Sequence, residues 1–114
     1  MFNRGEIWLA DLNPPHGTEP GKVRPVLIVQ SQALLDAGHP STYIVPLTTK
    51  LADDAEPLRI RVAATGRLPR DSDLLIDQMR AIENTRLIRG PLAQLSRAAM
   101  NHVLSAVVEL LGGN

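Results

Sequence analysis

The sequence of 114 residues contains no cysteine, which excludes disulfide bonds, thiolate catalysis and cysteine-based zinc sites. Histidine is scarce too: His16, His39 and His102 are scattered, so a histidine-cluster metal site is not expected. No run of about 18 apolar residues occurs, and a transmembrane helix is therefore not expected. Residues 1–6 lack the apolar stretch of a signal peptide, so we expect a cytoplasmic protein without a membrane partner.

The net charge is also zero, which does not by itself point to a nucleic-acid partner. The charges are unevenly distributed, however. Residues 1–56 carry four basic and seven acidic side chains, whereas residues 57–97 carry eight basic and four acidic ones. Ten of the twelve cationic residues are arginines, whose planar fork suits phosphate groups and base edges. A GC-rich gene would also favour arginine, so charge alone leaves the partner open.

The chain length indicates one domain over residues 1–114. Apolar residues make up 44% of the chain, which is enough for a core and too many for a disordered protein. A domain of this size buries only about two-thirds of its unfolded surface, which favours oligomerisation.

Alternating or clustered apolar residues predict five β-strands. These are residues 5–12, 23–30, 42–47, 58–62 and 72–82, the last with a break or bulge near Gln78. Residues 13–22 hold three prolines and two glycines, which predicts a long loop that could form one wall of a functional site. Residues 86–95 are predicted to be a connector, because Gly90-Pro91 interrupts them.

Two helices complete the predicted elements. Ser31 is placed to cap a short helix over residues 31–37, and Ser96 to cap a long C-terminal one. Apolar residues of the long helix recur at helical spacing on one stripe: Ala99, Val103, Val107 and Leu110, widened by Leu104 and Leu111. The elements predict an α+β fold, a small barrel-like, mostly antiparallel β-sheet with the C-terminal α-helix across one opening.

Motifs of the common catalytic sites, such as a nucleophile elbow or a phosphate-binding glycine loop, do not occur in the sequence. A metal-dependent nuclease would need a carboxylate cluster for Mg²⁺. Asp71, Asp73 and Asp77 alternate along one predicted strand and would share a face. Such alternation is more often only the solvated face of a strand.

A metal-free ribonuclease needs less, since RNA supplies the 2′-OH as its own nucleophile. The protein must orient that hydroxyl, move a proton and stabilise the charged phosphate. Arg24 opens an otherwise apolar strand, and Thr48 and Thr49 close another. These side chains could do this chemistry, or they could simply be polar groups at strand ends.

Four segments, in order along the chain, resemble a known family. They are RGEIWLADLNP, GTEPGK leading into VRPVLIVQ, VPLTT, and DQMRAIENTRL. In these segments and their spacing, the chain resembles the MazF/PemK toxins of bacterial type II toxin–antitoxin systems over nearly its whole length. The resemblance implies an SH3-like, CcdB/Kid-like barrel that forms a homodimer. It also implies a sequence-specific endoribonuclease, an mRNA interferase that needs no metal or other cofactor and cuts single-stranded RNA through 2′-OH attack.

The resemblance also assigns roles to residues. Arg24 would stabilise the pentacoordinate phosphate and protonate the leaving 5′-oxygen, and its high basicity favours the first, electrostatic role. Thr48 would bond a nonbridging oxygen, so both are predicted to be catalytic. Glu19 and Gln78 would orient Arg24 or contact the RNA. The other predicted substrate-binding residues are Thr18, Thr49, Asp77 and Arg80.

A second branch of the family relies on an aspartate, an arginine two residues before it and a histidine in the first loop. Asp77 matches that aspartate, but Leu75 and Thr18 stand at the other two positions. We therefore do not carry this second set over. His16, in the same loop, is either a substitute for that histidine or merely exposed.

The implied partners are a cognate MazE-like antitoxin and, only through the antitoxin complex, operator DNA. An acidic antitoxin tail that folds on binding would occupy the RNA groove. Candidate groove residues are Arg59, Arg61, Arg67, Arg70 and Arg80. Trp8 is predicted to lie in the core or a dimer seam, or else to stack on an RNA base.

Two alternative functions are open at this point. The first is a CcdB-like toxin that binds DNA gyrase without cutting RNA. That type depends on an exposed Trp-Gly-Ile end, whereas this chain ends Leu-Leu-Gly-Gly-Asn. The second is an inactive antitoxin-binding module that only represses its own operon.

Overall fold

The computed structural model describes residues 1–13 and 22–113. Within them, seven strands form one antiparallel sheet. The strands are β1 (Glu6–Asp11), β2 (Val23–Ile28), β3 (Ser41–Thr48), β4 (Arg59–Val62), β5 (Ser72–Leu75), β6 (Arg80–Glu83) and β7 (Leu87–Gln94). The α-helices are α1 (Gln32–Asp36) and α2 (Arg97–Leu110), and short 3₁₀ turns cover Ile76–Gln78 and Asn84–Arg86. None of the helices in the described ranges is long and apolar enough to cross a membrane.

The strands pair in the order β4-β5-β3-β2-β1-β7, and β6 pairs with β3. One edge of β3 therefore pairs with β2, while the other edge is shared by β5 and β6. In the connection from β4 to β5, the Arg67 N–H donates to the Leu92 carbonyl of β7 at 2.6 Å. The two ends of the sheet thus approach each other. The sheet is barrel-like without being closed, and the predicted fold class is confirmed.

Two apolar clusters lie on opposite faces of the sheet. On β2, Leu27 packs in the cluster that includes Val103 of α2. Its neighbours Val26 and Ile28 pack in the other cluster, together with Ile44 of β3. All five side chains are fully buried, and each such burial stabilises the fold by about 1.5–3 kcal/mol.

Helix α2 begins where the sequence predicts. The Ser96 Oγ accepts a hydrogen bond from the Ala99 N–H at 3.1 Å, as an N-cap residue does. Of the predicted stripe, Val103 is buried and Val107 and Leu110 pack against the core. Leu111 is 74% exposed, so its assignment to the stripe is wrong, because it lies beyond the last helical residue. The buried residues Met100 and Ala106 complete this face of the helix.

Strand β7 occupies most of the segment predicted to be a connector, so that prediction is wrong. The sequence Gly90-Pro91 looks like a chain break, yet both residues lie within the strand. Proline is tolerated there because β7 ends the pairing order of the sheet, where an N–H need not be donated. Glycine is required by packing, since a Cβ on Gly90 would lie 2.5 Å from Cδ2 of Trp8.

The short helix and the strand break are both confirmed. The Ser31 Oγ accepts a hydrogen bond from the Leu34 N–H at 3.3 Å and caps α1. The predicted last strand divides into β5 and β6 around the 3₁₀ turn that ends at Gln78.

Candidate functional site

Three strands meet at the end of the sheet where the predicted site residues lie. At this end β2 begins, β3 ends and β5 begins, because β3 runs antiparallel to both neighbours. Strand β6 begins further back along β3, where Arg80 pairs with Ile44. Val26 of β2 pairs with Pro46 of β3. Continued by two residues, toward the start of β2 and the end of β3, the same register sets Arg24 opposite Thr48. Paired residues project from the same face, so both side chains lie on the face turned away from α2, here called the site face.

Arg24 is half-buried and is anchored to the neighbouring strand. Its Nη1 donates to the carbonyl oxygen of Leu47 at 3.2 Å, one residue before Thr48. Burial lowers the pKa of Arg24 from its ordinary value, because desolvation disfavours the charged guanidinium. A guanidinium nevertheless stays protonated at neutral pH. The site therefore holds a positive charge next to a threonine hydroxyl.

Thr48 is the last residue of β3 and is half-buried, while Thr49 is exposed. The Thr48 Oγ1 accepts a hydrogen bond from the Lys50 N–H at 3.2 Å. This bond uses a lone pair of the hydroxyl oxygen, so the O–H can donate to a ligand. It also links the orientation of the Thr48 side chain to the backbone that follows.

The 3₁₀ turn before β6 and the start of β6 carry three further predicted residues. Asp77 is exposed, whereas Gln78 and Arg80 are half-buried. Arg80 alternates along β6 with the buried Ile82, which belongs to the apolar cluster on the site face. Arg80 therefore projects from the same face as the Arg24–Thr48 pair.

The predicted residues of the first loop, Thr18 and Glu19, lie outside the described residues, as does His16. Their assigned roles stay predictions. The chain on either side of them is described. The Leu12 N–H donates to the Lys22 carbonyl at 2.9 Å, so the two sides are held together at the start of β2.

Arg86, which lies in the segment predicted to be a connector, also holds the chain together at the start of β2. Its Nη1 donates to the carbonyl oxygens of Asp11 at 3.1 Å and Asn13 at 2.7 Å. The Asn13 side chain in turn accepts from the Lys22 N–H at 2.6 Å. The Arg86–Asn13 contact joins residues 73 positions apart, so no local pattern predicts it.

Asp71, Asp73 and Asp77 do not form the carboxylate cluster that a metal-dependent nuclease would need. Asp71 lies before β5 and Asp77 in the turn after it, because the regular strand ends at Leu75. Asp73 is on the strand but is only 1% exposed, so it does not belong to a solvated face either. Among residues 1–13 and 22–113, no group of three or more histidine, cysteine, aspartate or glutamate side chains could hold a metal ion.

The buried Asp73 instead forms an ion pair with the exposed Arg61, whose Nε donates to Oδ1 at 2.6 Å. Burial by itself would raise the pKa of Asp73. The hydrogen bonds from Arg61 and the Ala52 N–H, with the charges of Arg61 and Arg59, outweigh it and lower that pKa below 3.8. The hydrogen bond to Asp73, with a second one to Asp53, raises the pKa of Arg61.

The structure shows which contacts the five candidate groove arginines make and which of them lies beside the predicted site residues. Arg59 and Arg61 are engaged with Asp73 and with the backbone or side chains after β3. The Arg67 Nη2 donates to the Pro91 carbonyl at 3.0 Å, which places that side chain against β7. Arg70 is exposed in the same connection. Arg80 is the one that adjoins the turn with Asp77 and Gln78.

Trp8 is partly buried and packs against the apolar cluster on the site face, as the core interpretation predicts. Its ring meets the Phe2 ring edge-on, with the centroids 5.6 Å apart. The Trp8 Nε1 donates to Glu6 Oε1 at 3.0 Å. Gly90 lies directly against the ring. These contacts use the indole for packing.

Comparison with known proteins relates the chain to a known protein family. A family model described as "PemK-like, MazF-like toxin of type II toxin-antitoxin system" matches residues 3–111. The chain is 32% identical over 116 residues to a curated protein, Endoribonuclease MazF of Staphylococcus saprophyticus. The match covers 98% of this chain and 92% of that relative.

Solved structures share the fold at lower identity. MazF from Deinococcus radiodurans superposes with a TM-score of 0.79 at 21% identity, covering 97% of this chain and 96% of that one. A MazF toxin of Mycobacterium tuberculosis gives a TM-score of 0.77 at 21% identity, covering 96% of this chain and 98% of that one. An endoribonuclease in complex with its cognate antitoxin, from a mycobacterial species, gives 0.76 at 21% identity, with coverages of 98% and 96%.

Proposed function

Because the chain belongs to the PemK-like, MazF-like toxin family of type II toxin–antitoxin systems, we propose that it is a single-domain, cytoplasmic endoribonuclease. Its substrate is single-stranded RNA, with messenger RNA as the main target, cut at a short recognition sequence without a metal ion. Family membership favours this function over the gyrase-binding and inactive alternatives.

The observation that carries the proposal is the arrangement of Arg24 and Thr48. The hydrogen bond from Arg24 Nη1 to the Leu47 carbonyl fixes one arm of the guanidinium on β3, beside Thr48. The guanidinium fork and the Thr48 hydroxyl are thus hydrogen-bond donors on one face at one end of the sheet. Two such donors suit the nonbridging oxygens of a phosphodiester.

The cleavage step follows from this geometry. The 2′-oxygen of one nucleotide bonds to the adjacent phosphorus, and the bond from phosphorus to the 5′-oxygen breaks. The products are a 2′,3′-cyclic phosphate and a 5′-hydroxyl end. Water accepts the proton that leaves the 2′-OH, and water supplies the proton that reaches the 5′-oxygen, so no proton is gained or lost overall.

Arg24 stabilises the negative charge that builds up on the phosphorane, and Thr48 bonds a nonbridging oxygen. Because arginine holds its proton so tightly, the role of Arg24 is electrostatic rather than that of an acid.

The surrounding residues orient the substrate in this proposal. Gln78 and Arg80 contact the RNA from the β6 side of the Arg24–Thr48 pair, with the exposed Asp77 and Thr49 at the rim. Thr18 and Glu19 contribute from the first loop, with Glu19 orienting Arg24 or binding RNA.

The proposed partners follow the same family. The protein acts as a homodimer and is neutralised by a cognate MazE-like antitoxin, and it reaches operator DNA only through that complex. The mycobacterial relative and the Deinococcus radiodurans MazE–MazF pair, which has the same fold at a TM-score of 0.75, are both seen with an antitoxin. An acidic antitoxin tail would compete with RNA for the arginines of the site face.

The test is to incubate the purified, antitoxin-free protein with a long RNA of mixed sequence in EDTA and to map the cut ends. The proposal predicts discrete cuts at a recurring short sequence, with 2′,3′-cyclic phosphate ends. Thr48→Ala should abolish most of the cleavage. Ser105→Ala is the matched control, because it removes an exposed hydroxyl on α2, on the side of the sheet away from the site face, and it should retain activity within a few-fold.

Two results would overturn the proposal. Cleavage only after Mg²⁺ replaces EDTA would exclude the metal-free mechanism. Intact RNA under both conditions would favour the non-enzymatic alternatives.

A further inference from the structure

Asp73 is a charged residue where the strand pattern calls for an apolar one. All four residues of β5 are buried, and Asp73 is only 1% exposed. It lies directly opposite Thr48 in the β3–β5 pair, so its side chain also projects from the site face. A buried carboxylate is costly unless it is paired and hydrogen-bonded, so its place beside Thr48 needs an explanation.

The contacts of Asp73 lead to the backbone that follows Thr48. Its Oδ2 accepts from the Ala52 N–H at 2.8 Å, four residues beyond Thr48. Its Oδ1 accepts from Arg61 Nε at 2.6 Å, and Arg61 Nη2 reaches Asp53 Oδ1 at 2.8 Å. The carboxylate therefore holds the segment after β3 both directly and through a guanidinium.

Arg59 adds a third attachment to the same segment. Its Nη1 lies 3.7 Å from Asp73 Oδ2 and donates to the Lys50 carbonyl at 2.9 Å. The Lys50 N–H is the group that hydrogen-bonds the Thr48 hydroxyl. A continuous set of contacts thus runs from Asp73, through Arg59 and Lys50, to Thr48 Oγ1.

We propose that Asp73 is a positioning residue for RNA cleavage, which acts by fixing residues 50–53 and, through Lys50, the hydroxyl of Thr48. This inference rests on the proposed function and extends it by one residue. Asp73 is beneath the site and does not touch substrate. Without it, Lys50 and Ala52 lose their fixed positions, and the Thr48 hydroxyl loses its orientation toward the phosphate.

The test is Asp73→Asn, assayed by single-turnover cleavage of an RNA that carries the mapped site. Asparagine keeps the size of the side chain but cannot pair with two guanidinium groups. We expect kcat to fall by about tenfold to 100-fold, as misplacement of a reacting group by about 1 Å does, with KM within about threefold. The matched control is Asp54→Asn, which changes an exposed carboxylate just beyond residues 50–53 and should leave kcat within about twofold.

A double-mutant cycle separates positioning from general stability. If Asp73 acts through Thr48, Asp73→Asn should cost less than about twofold in a Thr48→Ala background. An equal loss in both backgrounds, or no loss in the otherwise wild-type protein, would overturn the inference. Hydrogen exchange at the Ala52 amide gives a second readout that needs no RNA, and exchange should be faster in Asp73→Asn.

Arg59→Met keeps the test decisive if Asp73→Asn does not fold. Arg59 is partly exposed and its loss leaves the Asp73–Arg61 pair in place. The Arg59→Met substitution should lower kcat several-fold in the otherwise wild-type protein and have no effect in the Thr48→Ala background. An equal loss of kcat in both backgrounds would overturn the inference. A wild-type protein that leaves RNA intact would refute the proposed function and this role with it, whereas an active wild type with an unaffected Asp73→Asn refutes this role alone.

Discussion

Replacing Arg24 with lysine should separate its catalytic role from a simple charge effect. In the structure one arm of the guanidinium donates to the Leu47 carbonyl, which sets the fork beside Thr48 on the site face. Lysine keeps the positive charge but has a single ammonium group, which cannot hold β3 and clasp the phosphate in the same fixed geometry. The ground-state attraction to RNA survives, whereas the oriented bond to the developing charge is lost.

The expected size of this effect follows from other sites that stabilise developing charge. Loss of one preorganised donor lowers kcat by about 10²–10³, or roughly 2.7–4 kcal/mol of barrier. We expect Arg24→Lys to fall in this range with KM changed by less than about fivefold, and Arg24→Ala to lose more.

The assay is single-turnover cleavage of an end-labelled RNA, after circular dichroism has shown that the variants are folded. Arg97→Lys is the matched control, because Arg97 is exposed at the start of α2. An Arg24→Lys protein that keeps more than about a third of the wild-type kcat would refute the role given to Arg24.

Three further predictions concern the scaffold. Gly90→Ala should lower the denaturation midpoint by the equivalent of about 1–3 kcal/mol, because its Cβ would lie 2.5 Å from the Trp8 ring; an unchanged midpoint would contradict the packing. The pKa of Asp73 is lower in the folded protein than in the unfolded chain, so the unfolded chain binds more protons as the pH falls. The stability that Asp73 contributes is therefore complete above its ordinary pKa of 3.8 and is lost as the pH falls through the lower folded value. Unfolding titrations between neutral pH and pH ~3 should show a shallower acid slope for Asp73→Asn, and equal slopes would exclude this linkage. Arg86→Met should raise KM for RNA several-fold, because it releases Asp11 and Asn13, which precede the segment that carries Thr18 and Glu19. An unchanged KM would show that this anchoring does not matter for RNA binding.

Features that depend on nearby residues were predictable from the sequence. Ser31 and Ser96 cap their helices because an N-cap needs only a hydroxyl and the amides two or three residues ahead. The strand break near Gln78 follows from a local pattern in the same way. Arg24 and Thr48 could be singled out because polar groups at the ends of apolar strands are locally visible.

Features that depend on distant partners were not predictable. A glycine stands at position 90 within a strand because the Trp8 ring leaves no room for a Cβ, and Trp8 is far away in the sequence. Asp73 was assigned to a solvated face because its partners, Arg61 and Ala52, belong to other segments. The anchoring by Arg86 is non-local in the same sense.

The most direct test of the central claim is to remove the proposed nucleophile from the substrate. A short RNA with the mapped site is prepared with a single 2′-deoxynucleotide on the 5′ side of the scissile bond, and with one elsewhere as control. We predict that the first substrate binds but is not cut, while the control is cut at the normal rate to a 2′,3′-cyclic phosphate. Cleavage of the first substrate at the same bond would contradict 2′-OH attack and the roles of Arg24 and Thr48 built on it.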